Sequence, residues 1–323
     1  MRLGTMLAVL MGLIVMLALV SLIVGPAHIG LPQLLDGLSE NEVQIVFGLR
    51  LPRIILALLA GAGLAVSGAL MQTFFHNPLA EPYITGVSAG GALGAVLISA
   101  LGLGGVLLTG LGAVLGGVLI TVALFMFAQR FRGGTTAVLL LGLALGTFCG
   151  AVVWFLLLKL GPGGTDQAIS WLLGRVSTVG YTEIYFLAPA TLLGLLAAFY
   201  YAPDLDALLL GEDKAASLGV NLVAARRGIL GTASLLAVAC VAFCGVIAFV
   251  GLMVPHVLRI FLSAIHTRLL PACALGGGVL VLAVDLASRT IDPPREIPLT
   301  IITSLIGAPF FIFVLLRSRG AVG

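Results

Sequence analysis

Arg50-Leu-Pro-Arg53, the apolar run 54–71, then His76-Asn-Pro-Leu-Ala-Glu-Pro82 leading into Gly86-Val-Ser-Ala-Gly90: this stretch decides the fold. The apolar run approaches the roughly 20 residues that a helix needs to cross a hydrocarbon core. Arginines bracket it at one end and a proline-rich break at the other, so the spacing predicts a membrane-crossing helix with a cationic start and an interrupted sequel.

Working outward, the 323-residue chain is 60% hydrophobic and 9% charged, against about 25% charged in an ordinary soluble domain. Segments of spanning length recur at 6–25, 84–103, 105–128, 137–158, 184–201, 228–250, 269–286 and 299–316, with a shorter, proline-broken stretch at 254–265. With 54–71 these predict an all-α polytopic membrane protein of about ten transmembrane helices, one transmembrane domain over residues 1–323. The apolar run after Arg2 is too long for a signal-peptide core and no A-x-A site follows, so it reads as a retained helix.

With the N-terminus inside, Arg2, Arg130, Arg132, Lys214, Arg226, Arg227, Arg259, Arg268, Arg317 and Arg319 fall on the cytoplasmic side, and Arg50, Arg53, Lys159, Arg175, Arg289 and Arg295 on the other. The bias obeys the positive-inside rule and places both termini in the cytoplasm. It also accounts for the net charge of +3 without a nucleic-acid partner, since the cations are too dispersed to track phosphates. Cys149, Cys240, Cys244 and Cys273 all lie in apolar segments and read as packing residues, with no disulfide frame and no metal site expected.

Gly86, Gly90 and Gly94, and again Gly142, Gly146 and Gly150, recur at fourfold spacing, which lets helix backbones approach closely in lipid. The longest polar stretch, 202–227, divides the chain on the cytoplasmic side. Its 212–218 portion suits a short amphipathic helix, either a solvated connector or a docking element. Each half carries a helix followed by a proline interruption: Asn77-Pro78 and Glu81-Pro82 in the first, Val254-Pro255-His256 in the second. Paired interruptions in corresponding positions suggest inverted repeats around a transport path.

No G-x-x-x-x-G-K-[ST] loop is present, so ATP-driven work belongs to another chain. Gly86-Val-Ser-Ala-Gly90 matches G-x-S-x-G, with His256 as a conceivable base. A nucleophile elbow needs a preceding strand, however, and Ser88 reads instead as a packing hydroxyl. His28, His76, His256 and His266 read as loop or interfacial histidines rather than ligands. Ionisable residues inside a bilayer usually mark ion paths, and only Asp285 approaches mid-helix here, which argues against an ion-coupled secondary transporter. The outer arginines Arg50, Arg53 and Arg295 fit either snorkelling or the docking of carboxylates on an extracytoplasmic partner.

The strings Arg50-Leu-Pro-Arg53, Ser67-Gly-Ala-Leu-Met-Gln72, Asn77-Pro-Leu-Ala-Glu-Pro82, Gly86-Val-Ser-Ala-Gly90, Gly211-Glu-Asp-Lys-Ala-Ala-Ser-Leu-Gly219, Phe249-Val-Gly-Leu-Met-Val-Pro-His256, Pro294-Arg-Glu-Ile-Pro298 and Gly307-Ala-Pro-Phe310 occur in order along nearly the whole chain. Together they resemble the FecCD-type permeases, membrane subunits of type II ABC importers for ferric siderophores, haem and cobalamin. The resemblance implies a non-enzymatic permease of the inner membrane. It implies a homodimer of ten-helix subunits in lipid, fed by a periplasmic binding protein and driven by two ATPase subunits that hold ATP and magnesium.

The resemblance further implies that Arg50, Arg53 and Arg295 receive acidic residues of the binding protein. The segment with Gly211, Glu212, Ala215, Leu218, Gly219 and Val220 corresponds to the coupling helix on the ATPase. Asn77, Leu79, Thr135 and Thr136 match the cytoplasmic gate. Thr300 departs from the family pattern, where glycine often follows Glu-Ile-Pro-Leu. Arg175, in Trp171-Leu-Leu-Gly-Arg175, sits near the outer mouth, where it either snorkels or attracts an anionic group such as a haem propionate. Siderophore or haem is favoured over cobalamin on family abundance alone.

Overall fold

The computed structural model describes residues 2–25, 30, 37–103, 105–130, 134–176 and 180–319. Its elements are helical throughout: α1 (Leu3–Ile23), α2 (Leu51–Phe74), α3 (Val87–Ala100), α4 (Val106–Arg130), α5 (Gly134–Leu157), α6 (Pro162–Leu172), α7 (Thr182–Tyr200), α8 (Ala202–Leu208), α9 (Glu212–Ser217), α10 (Leu222–Cys244), α11 (Val250–Phe261), α12 (His266–Thr290) and α13 (Leu299–Arg319). Among the described residues, seven helical stretches are long and apolar enough to cross a membrane, and Val87–Ala100, Val250–Phe261 and Leu299–Val314 are shorter apolar helices. Each predicted segment coincides with one of these.

Helix α2 is the axis of the bundle. Its spanning window is 78% buried and that of α10 is 72%, against 17% for α1. Successive rungs fix its direction against α12: Arg53 meets Asp285, Gly61 meets Gly277 and Thr73 meets His266. Against α10, Ser67 Oγ donates to Ala233 O at 2.6 Å and Cys240 Sγ lies 3.5 Å from Ala60 O, so both neighbours run antiparallel to it. The outer helices turn Leu119, Met126, Phe148 and Leu192 outward, the exposure of a surface solvated by lipid or covered by another subunit.

Glycine stripes set the closest contacts. A Cβ on Gly94 would lie 1.9 Å from Gly112 O, and one on Gly116 would lie 2.0 Å from Gly90 O, so α3 and α4 pack backbone to backbone. The two fourfold runs seen in the sequence meet each other at one point only: Gly86 packs on Gly142 and Gly146 of α5, whereas Gly90 and Gly94 face α4 and Gly150 has nothing within 4 Å.

Helix α2 does not begin at residue 54. One helical turn, Glu40–Val43, capped by Ser39 and Glu42 in a capping box, runs through a π-helical segment, Gln44–Arg50, straight into α2. Pro52 lacks the N–H that would bond to Gly48 O. The wider turn absorbs the mismatch, and Gly48 O instead accepts from Gly180 N at 2.9 Å. Arg50 and Arg53 therefore sit inside a continuous helix rather than at its exposed start.

Candidate functional site

Two of the short helices begin inside the bundle. The chain leaves α2 at Phe74, turns through His76 (φ 50°) and a 3-10 turn at Pro82–Thr85, and starts α3 from Gly86 at φ 73°. In the second half it leaves α10 at Cys244, crosses 245–249, and starts α11 from Phe249 at φ 66°. Gly86 packs on Gly142 and Gly146, two to three turns into α5. Gly251 packs on Gly68, above the last turn of α2. Both half-helices therefore start at mid-depth. Helix α3 is antiparallel to α4, and α11 is followed by the oppositely directed α12, so the two half-helices diverge toward opposite faces. This is the inverted-repeat arrangement anticipated from the sequence, with one correction. The second interruption lies at 245–249 and not at Pro255, which sits within α11.

The interruptions bond to each other. Tyr83 Oη donates to Ile247 O at 2.7 Å and accepts from Ile247 N at 2.9 Å. A Glu81 carboxylate oxygen accepts from Phe249 N at the start of α11. A carboxylate there both satisfies an otherwise orphaned N–H and complements the positive end of the helix dipole. Pro255 cannot bond to Gly251 O, and Gln72 Nε2 donates to that carbonyl at 3.2 Å and to Leu252 O at 3.3 Å. Arg259 in turn donates to Gln72 Oε1. Phe249 is a bulky residue in the left-handed region, which persists only where its surroundings hold it. Its ring lies where a Cβ on Gly307 would come within 2.3 Å, which gives the Gly307-Ala-Pro-Phe310 string its physical reason.

At the foot of α2, Asn77 and Leu79 share a turn in which Asn77 Oδ1 accepts from Leu79 N at 2.9 Å, and Gln72 O accepts from Asn77 N at 3.0 Å. Thr135 and Thr136 open α5, but their side chains lie outside the described residues. The polar stretch folds as two short helices, α8 and α9, where one was expected. Gly211 (φ 98°) and Gly219 (φ 88°) bracket α9, Glu212 pairs with Arg226, and Val220 N donates to Ala215 O at 3.1 Å. Ala215 is fully buried, so its place is the fold and not a partner's groove. Leu218, at 65% exposure, and the neighbouring Asp213, Lys214 and Gly219 face outward.

At the opposite end of the bundle the arginines divide. Arg53 donates to Asp285 Oδ1 at 2.9 Å and to Glu296 Oε1 at 2.6 Å, and its side chain is only 13% exposed. Arg50, 5% exposed, donates to Leu22 O and to Ile23 O, and Arg289 reaches Val24 O at 3.3 Å and Ser21 Oγ at 3.0 Å. The last turn of α1 carries no basic residue of its own, and two arginines from other elements close its last carbonyls, the favourable place for cations. The docking role expected of Arg50 and Arg53 thus meets a physical obstacle: both guanidinium groups are engaged inside the fold. Arg295 alone of the three is exposed. Asp285, fully buried, is the counter-ion of this network, paired with Arg53 and Arg289.

Arg175 is exposed beside a cavity of about 240 Å³ that Ser170, Trp171, Glu183 and Cys244 also line. Arg175 N donates to Cys244 O at 2.9 Å, and Thr300 Oγ1 donates to Val246 O, so the threonine that departs from the family pattern anchors the 245–249 break. Ser88 is buried in the first turn of α3 with no hydrogen-bond partner, while His256 stacks edge-on against Phe310, which leaves no nucleophile–base pair. Sequence reasoning missed His266. Far from being a loop histidine, it is completely buried, between Asp206 and Thr73.

A bundle of apolar helices with two opposed half-helices joined at mid-depth defines a multi-pass membrane transport protein. The FecCD transport family model matches residues 13–317, and the chain belongs to that family. It is 40% identical over 286 residues to the cobalamin import system permease protein of Halobacterium salinarum, covering 88% of this chain and 76% of that one. It is 36% identical to the hemin transport system permease protein of Yersinia pestis, covering 97% and 96%. A solved structure described as an inward-facing conformation of a metal-chelate type ABC transporter matches with a TM-score of 0.89 and 31% identity, over 97% of this chain and 99% of that one. The chain is accordingly an ABC permease of the iron, haem and cobalamin transport group.

Proposed function

We propose that this chain is the permease subunit of an ABC importer that carries a metal chelate, ferric siderophore or haem, from the periplasm to the cytoplasm. Two copies of it form the path in the inner membrane, with both termini cytoplasmic. A periplasmic binding protein delivers the cargo, and two ATPase subunits bind ATP and magnesium and do the hydrolysis. The observation that carries the reading is the placement of α9: a short helix braced to its own chain by Ala215 and Glu212, with Leu218 bare, on the same end of the bundle as the Asn77–Leu79 turn. In this reading the outward face of α9 seats on the ATPase and Asn77, Leu79, Thr135 and Thr136 close the cytoplasmic gate. Arg295 meets the binding protein, and Arg175 draws an anionic group toward the mouth.

Cobalamin is the second reading for the cargo, favoured by the 40% identity to a cobalamin permease. Uptake of labelled haem, ferric siderophore and cobalamin, compared in cells with and without this gene, separates the two. Loss of haem or siderophore uptake supports the first reading, loss of cobalamin uptake alone supports the second, and loss of none rejects both.

A further inference from the structure

The cytoplasmic elbow α8–α9 is tied to the foot of α2 by a buried chain of hydrogen bonds. Asp206 of α8 accepts, through the same Oδ1, from His266 N at 2.6 Å and from His266 Nδ1 at 2.7 Å. The carboxylate thereby caps the first turn of α12, which has no side-chain cap of its own, and sets the proton on Nδ1 of the ring. In the neutral ring Nε2 is then an acceptor, and it lies 2.8 Å from Thr73 Oγ1. Thr73 is in the last turn of α2. Its carbonyl accepts from His76 N at 3.1 Å, and the adjacent Gln72 both holds α11 and accepts from Asn77 N. A second tie, His76 Nε2 to Leu208 O at 3.4 Å, joins the gate turn to the end of α8. His266 and Thr73 are 0% and 4% exposed, and the Asp206 side chain is 26% exposed, so the chain runs from the partly wet elbow into the core.

We propose that Asp206, His266 and Thr73 are positioning residues that transmit displacement of the α8–α9 elbow to the Asn77–Leu79 turn. The inference rests on the reading of α9 as the ATPase seat. A displacement of α8 moves one carboxylate oxygen, which shifts the start of α12 and rotates the imidazole that holds the foot of α2. Two packed elements are thus moved by one group, the kind of discrete coupling that links distant sites. None of the three residues is required to touch cargo or nucleotide.

The test uses the complete complex, permease with its ATPase and binding protein, in proteoliposomes, with labelled haem, ferric hydroxamate and cobalamin as probes. Thr73→Val keeps the shape and removes the hydroxyl. Uptake per ATP hydrolysed should fall at least about 5-fold, while hydrolysis itself changes less than about 2-fold. Thr73→Ser should restore the ratio, and Asp206→Asn, at a partly exposed position, should lower it independently. A structural role alone would lower the unfolding temperature of Thr73→Val and leave uptake per ATP unchanged, and that result overturns the proposal. Leu218→Asp separates the two levels. If it leaves the ATPase attached and uptake intact, the α9 seat and the relay both fall. If it releases the ATPase while Thr73→Val keeps the normal ratio, only the relay falls.

Discussion

Replacing Arg53 by alanine distinguishes an internal structural cation from an external docking one. In the structure Arg53 shares Asp285 with Arg289, but unequally: Arg53 Nη2 lies 2.9 Å from Oδ1, whereas Arg289 Nε lies 3.5 Å from Oδ2. Asp285 is fully buried, so Arg53→Ala leaves a desolvated carboxylate with one weak partner, and Glu296 loses its partner at 2.6 Å. Breaking a buried pair from one side costs about 3–5 kcal/mol, most of it the cost of the stranded charge. At roughly 2 °C per kcal/mol for a chain of this size, the unfolding midpoint in detergent should drop by roughly 6–10 °C. Asp285→Asn in the same background should recover part of the loss, because the stranded group is then neutral. The assay is thermal unfolding of the purified complex beside titration with the binding protein. An unchanged midpoint together with a roughly tenfold weaker affinity for the binding protein, a loss of about 1.4 kcal/mol, would refute the internal assignment and return Arg53 to the outer surface.

Three further outcomes are expected. Gly68→Ala places a Cβ 1.9 Å from Gly251 O, which forces α11 away from α2 by about 1.5 Å and should cost about 1–3 kcal/mol in unfolding experiments. Glu81→Ala orphans Phe249 N at the mid-depth junction, for about 1–3 kcal/mol, and should make the 245–249 segment more protease- or exchange-sensitive than the wild type. Arg295→Glu should weaken binding-protein affinity several-fold and more steeply at low salt, with no change in unfolding midpoint, because Arg295 is exposed.

Spanning helices were legible because apolar length alone specifies them, and the predicted segments each found a helix. Their ends were less legible. The helical turns from residue 40 that run into α2 could not be anticipated, because the π-helical turn before Pro52 is stabilised by Gly180, which is remote in sequence. The proline in Val254-Pro255-His256 marked an interruption, yet the break falls at Gly245–Phe249, where a positive-φ glycine and a positive-φ phenylalanine do the turning. Composition could not announce Phe249, since its strain is held by Glu81 and by the room that Gly307 leaves.

Arginines near an outer boundary read alike in one dimension. Only the fold separates Arg50 and Arg289, which cap α1, from Arg53, which balances Asp285, and from Arg295, which is bare. His266 was opaque for the same reason: its partners lie 60 and 193 residues away.

In the proposed function this chain passes a metal chelate inward under the power of ATP hydrolysed by another subunit. Proteoliposomes holding the permease with its ATPase, with ATP and magnesium in the cytoplasmic-side compartment, and given binding protein and labelled haem, ferric siderophore or cobalamin on the outer side, measure it directly. Accumulation of one of these chelates should require ATP and survive a proton uncoupler. Accumulation that proceeds without ATP and collapses with the uncoupler would contradict it.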